Sequence, residues 1–339
     1  MTDIVLAGGV RSALSHLAPL GLTSILRDSG DRDARSWWNV DTARPYVRSS
    51  MPDDEMAQTV TRHAAQRGGD SWVTAKINGP SRRGMSLFSP RIKAAQPEEW
   101  GEYVAERDAW LTANDSTLSP LDYRMLTALG QPAWWHCNAK DMRPDDGASR
   151  WEMKTRNRGE EFLANRLAPL TEIVARRSVA EVVAGMTGQS VVDELGGNAA
   201  DSRTSTGLSV PGPVDSALAY VALWGIAALR TVHRSDDRQP SASVGMRPRR
   251  GVHPTCAYLP MFVSAVPPQH FAAVAASRAL DEVGRRALEA PDEFGGSGEA
   301  NWLREQGVYA VVVFPIRKTG SASAPERQIL TGEVSILEE

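Results

Sequence analysis

The stretch over residues 197–228, GNAADSRTSTGLSVPGPVDSALAYVALWGIAA, joins a polar loop punctuated by Gly and Pro to an almost wholly apolar helix. Asp215 or Ser216 is the expected N-cap, since a short side-chain oxygen can accept from the free N–H groups of a first helical turn. From residue 217 to residue 229 the chain is apolar or small on every side, which predicts a helix enclosed by protein rather than laid on a surface. Ahead of it, Asp201, Ser202, Arg203, Thr204 and Gly207 place a carboxylate, hydroxyls and a guanidinium beside a flexible glycine. Such a loop can present groups to a phosphate or to a partner subunit, and it is also an ordinary way to turn a chain.

Working outward from that helix, the spacing of Leu14, Leu17, Leu22, Ile25 and Leu26 predicts an earlier helix over 13–28, bent or restarted by Pro19 and closed by Gly30. Short strands are expected over 3–7 and 35–40, and residues 71–77 alternate in a strand-like way. An acidic first turn opens a helix at Asp53 that runs to Arg67. Trp100, Tyr103, Val104 and Trp110 mark the inner side of a helix over 97–111. Ser119-Pro120 caps a short helix to Leu129. A long helix over 159–177, kinked at Pro169, leads to a capping box at Ser178 and Glu181. Residues 235–256 read as an exposed loop and 267–288 as helical. Residues 308–316 and 328–337 are β-rich, so the chain is expected to end in a hairpin.

Strands at both ends with helices between them predict an α+β protein, with a mixed sheet using strands from both chain ends and a largely helical middle and C-terminal half. An N-terminal α+β domain over 1–146 and a mainly helical domain over 147–339, ending in a β-hairpin at 308–337, are the expected units, able to share one sheet. The linker signal is Asp145-Asp146-Gly147.

At 339 residues, 42% hydrophobic and 23% charged, the chain has ample material for a core. A net charge of −3 excludes a globally cationic surface, so nucleic-acid binding would have to come from local patches. Two cysteines exclude a disulfide framework and fit a reducing cytoplasm. No secretory signal is read at the N-terminus, and the apolar run at 217–229 is short of the about 20 residues that span a bilayer, so no membrane partner is expected. Ten tryptophans against six phenylalanines favour packing and interfaces, with a minority free to stack on bases.

The clearest electrostatic signal is residues 76–93, KINGPSRRGMSLFSPRIK, which carry Lys76, Arg82, Arg83, Arg91 and Lys93 without an acid. With Asn78 at its turn and Phe88 interleaved, this loop suits backbone phosphates, because Lys and Arg displace condensed counterions. Two smaller groups are Lys154, Arg156 and Arg158 near Trp151, and Arg247, Arg249 and Arg250 in the exposed loop. His136-Cys137 and His253-x-x-Cys256 have ligand types suited to zinc but no finger or ribbon spacing, so no metal and no cofactor is expected. Neither a phosphate loop, a nucleophile elbow nor a metalloprotease motif is present, and no catalytic residue is assigned.

Several of these phrases resemble one family. They are the helix at 16–26, HLAPLGLTSIL; Arg156-Asn157-Arg158-Gly159 opening the long helix; Asp201-Ser202-Arg203-Thr204 with Gly207; Pro211-Gly212-Pro213; and Ala222-Leu223-Trp224-Gly225-Ile226. The chain is similar to the short large-subunit proteins of the subtype I-G (formerly I-U, Dpsyc) CRISPR–Cas interference complex. The resemblance implies a non-enzymatic role beside crRNA and target double-stranded DNA. The partners it implies are backbone and handle-end CRISPR-associated subunits and a helicase-nuclease. It also implies help in recognising the protospacer-adjacent motif and in holding the opened target. The loop at 76–93 is the first candidate for that contact, and Asp201, Arg203, Thr204 and Trp224 for structural or subunit contact. The terminal hairpin departs from the helical small subunit that relatives supply. The rival readings are an RNA-binding backbone or repeat-processing subunit of the same system, and a small-molecule enzyme with an anion site over residues 201–207.

Overall fold

The structure is a computed structural model that describes residues 1–79, 83–89, 97–130, 136–137, 142–143, 149–153, 162–202, 206–233, 241–246, 254–289, 296–321 and 324–337. Two helices cross at its centre. Helix α1 (Ala13–Asp28) is buried from Ala13 through Leu26, and Pro19 sits inside it without ending it. The apolar segment at 217–229 forms the other helix, α7 (Ser216–Trp224), continued by a 3-10 turn at Gly225–Ala228, and every residue of both is buried. The crossing is made by glycines. A Cβ on Gly21 would stand 2.8 Å from the Val221 carbonyl carbon, and one on Gly225 would stand 2.9 Å from that of Leu17. Backbone therefore lies against backbone, which only an absent side chain permits.

Asp215 is the N-cap of α7, its carboxylate accepting from Ala217 N at 2.8 Å and Val192 N at 3.0 Å. Arg177 donates to the same carboxylate at 2.7 Å and also holds Glu194. The loop before α7 folds back on Asp193, which is fully buried and accepts from Gly196 N at 2.8 Å.

Around this pair lie α2 (Asp53–Arg67), α3 (Pro97–Asn114), α4 (Pro120–Leu129), α5 (Ala168–Arg176) and α6 (Val179–Thr187). The capping boxes at Ser119 and Ser178 both form, and Gly188, left-handed, stops α6. The kink expected at Pro169 is a π-turn at Leu163–Leu167 that runs into α5. Pro169 has no N–H for the Asn165 carbonyl, so the helical ladder widens just ahead of it.

Strands β1 (Thr2–Val5), β2 (Arg35–Asn39) and β3 (Arg44–Ser49) form an antiparallel sheet in the order β1-β3-β2. Short pairs join β4 (His136–Cys137) to β5 (Met142–Arg143), and β6 (Thr231–His233) to β7 (Ser241–Ser243). Near the C-terminus β8 (Cys256–Phe262) pairs with the long β9 (Val308–Ser321). Antiparallel to β9 also run β10 (Ala324–Ile329) and β11 (Glu333–Ile336). Helices α8 (Pro268–Ala275), α9 (Arg278–Glu289) and α10 (Gly298–Glu305) lie between β8 and β9 in sequence.

The fold is α+β, with strands at both chain ends. Those strands do not merge into the one mixed sheet expected from the sequence. They make two antiparallel sheets, and an isolated bridge pairs Ser36 of β2 with Val266, four residues past the end of β8. Each end finds a partner of its own, β3 for β1 and β2, and β8 for β9. Residues 71–77 also differ from expectation: they turn, with Ala75 N bonded to Ser71 O at 2.8 Å, and bury Trp72 and Val73 side by side. The segment at 235–256, read as exposed, buries Val244 and Met246.

Candidate nucleic-acid interface

Side chains on a strand alternate in direction, so a three-stranded sheet with one side on a core shows its other side to solvent. Ile4, Trp38 and Val47 point inward and are buried, and β2 and β3 pack against α1. Registers Asp3↔Arg48, Val5↔Tyr46, Arg35↔Arg48, Trp37↔Tyr46 and Asn39↔Arg44 place the remaining side chains together on the outer side. At the centre Trp37 and Tyr46 stack, ring centroids 5.4 Å apart and planes 30° apart. The Arg48 guanidinium lies 4.9 Å over the Trp37 ring and is held by Asp3 in a bidentate pair, both distances 2.7 Å. That pair raises Arg48 above its ordinary pKa and, through the same hydrogen bond first, holds the Asp3 carboxyl below its own.

Arg44 is tied down: its Nε and Nη2 donate to the Leu6 carbonyl at 3.1 and 3.0 Å. Among the described residues Arg35 donates to the carbonyls of Arg32 and Ala34, both at 3.3 Å, and pairs with no carboxylate. Three arginines thus surround an aromatic pair with Asp3 as the one acid in these registers. The cationic character continues past the sheet. Arg27, near the end of α1, is held below its ordinary pKa by burial first and then by the neighbouring charges of Arg35 and Arg124. Asp31 and Asp33 act in the opposite direction without reversing it.

The basic loop forms a second, smaller surface. Lys76 bridges Ser86, and Ile77 N donates to Met85 O at 2.8 Å, closing a hairpin-like turn. Lys76, Asn78 and Arg83 are exposed on it. Although the segment itself carries no acid, α3 supplies one: the Glu106 carboxylate accepts from Asn78 N at 2.6 Å and Gly79 N at 3.3 Å. The loop is anchored, and its field is partly offset. Phe88, read as an aromatic among the charges, is buried against Trp110 at 5.1 Å with Arg107 over its ring at 4.8 Å. Arg82, Arg91, Lys93, Lys154, Arg156, Arg158, Arg203, Arg247, Arg249, Arg250 and Thr204 lie outside the described residues.

Asp201 is exposed, whereas Trp224 is fully buried and packs edge-on to His63 at 4.5 Å. Ser202, Thr206 and Gly207 of the same loop are buried. Thr206 is buried, and its carbonyl accepts from Arg166 at 3.0 Å. Cys256 is buried, His253 lies outside the described residues, and no group of three or more His, Cys, Asp and Glu side chains with metal-binding geometry occurs among the described residues.

A polar cavity of about 780 Å³ opens between α2 and α4 over Arg67, whose guanidinium donates to Asp122 at 2.8 and 3.0 Å, and to Asp28 at 3.4 Å. Asp122 accepts in addition from Trp72 Nε1 at 2.8 Å and Ser119 N at 2.9 Å. These charges are spent on one another, tying α1, α2 and α4 together. His63, pushed well below its ordinary pKa by burial and then by Arg67, sits beside them with Nδ1 2.7 Å from the Tyr220 hydroxyl.

The sheet surface escaped sequence reading. Its available signal was the alternation in RPYVRS over Arg44–Ser49, which repeats that of RSWWN over Arg35–Asn39. Fold and site together define an α+β protein with an aromatic–arginine sheet surface. Comparison with known protein families and with curated proteins returns no match. Among the described residues no helix is long and apolar enough to cross a membrane.

Proposed function

We propose that the protein is a non-catalytic, nucleic-acid-binding large subunit of a crRNA-guided type I CRISPR interference complex. In that role it helps recognise the protospacer-adjacent motif, holds the opened target DNA and recruits the helicase-nuclease. The observation that carries the binding part is the outer side of the β1-β3-β2 sheet, where Trp37 stacks on Tyr46 among Arg35, Arg44 and Arg48. Aromatic rings accept bases of any sequence by stacking, worth about 1–3 kcal/mol per base, while arginines neutralise phosphates. The anchored turn at Lys76, Asn78 and Arg83 is the second contact, with an amide and a guanidinium suited to base edges. Its place in the complex rests on the family resemblance of the phrases at 16–26, 201–207 and 222–226.

The test has two arms. Co-expression with the backbone subunits and crRNA should retain the protein in the purified assembly. Fluorescence anisotropy with target duplex and with 20-nucleotide single strands should give binding that weakens steeply with salt. A protein that neither joins the assembly nor binds any of these probes would refute the proposal.

A further inference from the structure

A pocket of about 400 Å³ lies between the C-terminal end of α4, the turn after α7 and helix α8. Its floor includes the buried Ala227 and Ala228, and its rim the exposed Ala273 with Tyr123, Arg124, Arg230 and Gln269. Among the described residues no carboxylate lines it. Arg230 is exposed, and its side chain makes no hydrogen bond or ion pair among the described residues. Arg124 Nε is buried and has no hydrogen-bond partner there. Arg67, buried nearby, shows the ordinary arrangement, its guanidinium matched by Asp122 at 2.8 Å. A buried donor left unpaired costs free energy, so two arginines converging on a space without an acid point to an anion that completes them. Ser24 of α1 lines the pocket, and Arg27, one turn further along that helix, donates to the carbonyls of Arg32 and Ala34, so the pocket lies near the start of β2, the strand that carries Trp37.

Building on the nucleic-acid reading above, we propose that this pocket takes one nucleotide everted from the single strand that crosses the sheet, its base on the alanine floor and its phosphate between Arg124 and Arg230. The size fits one such group: small-ligand pockets run from about 300 to 1,000 Å³, and this one is near the lower end. Eversion is least costly for a base that is already unpaired, which favours an opened target strand or a guide end over an intact duplex. The strand, passing over Trp37, supplies the anion at high local concentration.

The experiment uses the full chain and 20-nucleotide single strands of DNA and of RNA carrying 2-aminopurine at successive positions, with AMP as a free-nucleotide probe. Ala273→Trp fills the pocket from an exposed helix position, Arg230→Glu reverses a rim charge, and Trp37→Ala removes the stacking platform. With the wild type, 2-aminopurine fluorescence should rise at one position on binding, as the base leaves its neighbours for a floor with no aromatic ring. Ala273→Trp should abolish that rise and weaken binding about 5- to 20-fold. Arg230→Glu should weaken it at least 5-fold and make the salt dependence shallower. Whichever strand, DNA or RNA, gives the rise identifies the source of the nucleotide.

Wild-type affinity and fluorescence in both pocket variants would overturn the inference, leaving the sheet reading in place if Trp37→Ala still weakens binding. Loss of binding in the pocket variants alone would support the pocket and overturn the sheet reading. AMP bound as tightly as the strands, and displaced by Ala273→Trp, would overturn the strand origin and make this a mononucleotide site.

Discussion

Replacing Gly225 with alanine should destabilise the protein by about 2 kcal/mol, although the same change in an open helix would stabilise it. Gly225 has helical angles, φ −61° and ψ −24°, so alanine meets no backbone strain there. Relief of chain entropy would then favour alanine by about 0.5–1 kcal/mol. Against this, the new Cβ would stand 2.9 Å from the Leu17 carbonyl carbon and 3.0 Å from its Cα. Carbon atoms rest at about 3.5–4.0 Å, so α1 and α7 would have to part by about 0.5–1 Å. All three obstructing atoms, of which the Leu17 carbonyl oxygen is the nearest, are backbone in the middle of α1 and cannot turn aside as a side chain could. Overpacking of this kind costs about 1–3 kcal/mol and occasionally more, which exceeds the entropic gain. Gly21 makes the reciprocal contact, so Gly21→Ala should behave alike. Gly101 is the control: it lies inside α3 with open space where its Cβ would be, so Gly101→Ala should stabilise by about 0.5–1 kcal/mol. Urea unfolding followed by tryptophan fluorescence measures all three. Gly225→Ala at or above wild-type stability would refute the close helix crossing.

Asp122→Asn should cost about 3 kcal/mol in the same urea assay, because the buried Arg67 guanidinium would keep, among the described residues, Asp28 at 3.4 Å as its one carboxylate. Acid should destabilise the protein through its buried histidines. His16 is pushed down to about 4 by burial, against 6.5 in the unfolded chain. Between those values the unfolded state takes up a proton that the folded state refuses, so stability present above pH 6.5 falls by about 1.4 kcal/mol per unit, about 3 kcal/mol in all. His63 adds in the same direction, and unfolding free energies that stay flat from pH 7 to pH 4.5 would contradict both. Trp37→Ala should weaken single-strand binding about 5- to 100-fold without altering the thermal transition by more than a few degrees, read by anisotropy and circular dichroism.

The helices and their ends were legible because their signals are local. Ser119 and Ser178 announce caps, and the unbroken apolar run at 217–229 an enclosed helix. Strand β8 was missed because CAYLPMF is buried at every position, which erases the period-two alternation, and because Pro260 argues against a strand. Without β8 and β3, both chain ends seemed to need each other, hence the expectation of one shared sheet. The basic loop was legible as charge, but its restraint was not, since Glu106 comes from α3. Trp37 and Tyr46 become neighbours only through the register of β2 on β3, and Arg124 and Arg230 only through the packing of α4 beside the turn after α7. Contacts of that kind are written in pairing and packing rather than in spacing along the chain.

Ultraviolet cross-linking of the bound single strand, followed by peptide mapping, tests the sheet surface most directly. Adducts should fall on the segment from Arg35 to Arg48, at Trp37 or Tyr46, and vanish in high salt. Adducts confined to other segments, with that peptide recovered unmodified, would contradict the placement of nucleic acid on this sheet.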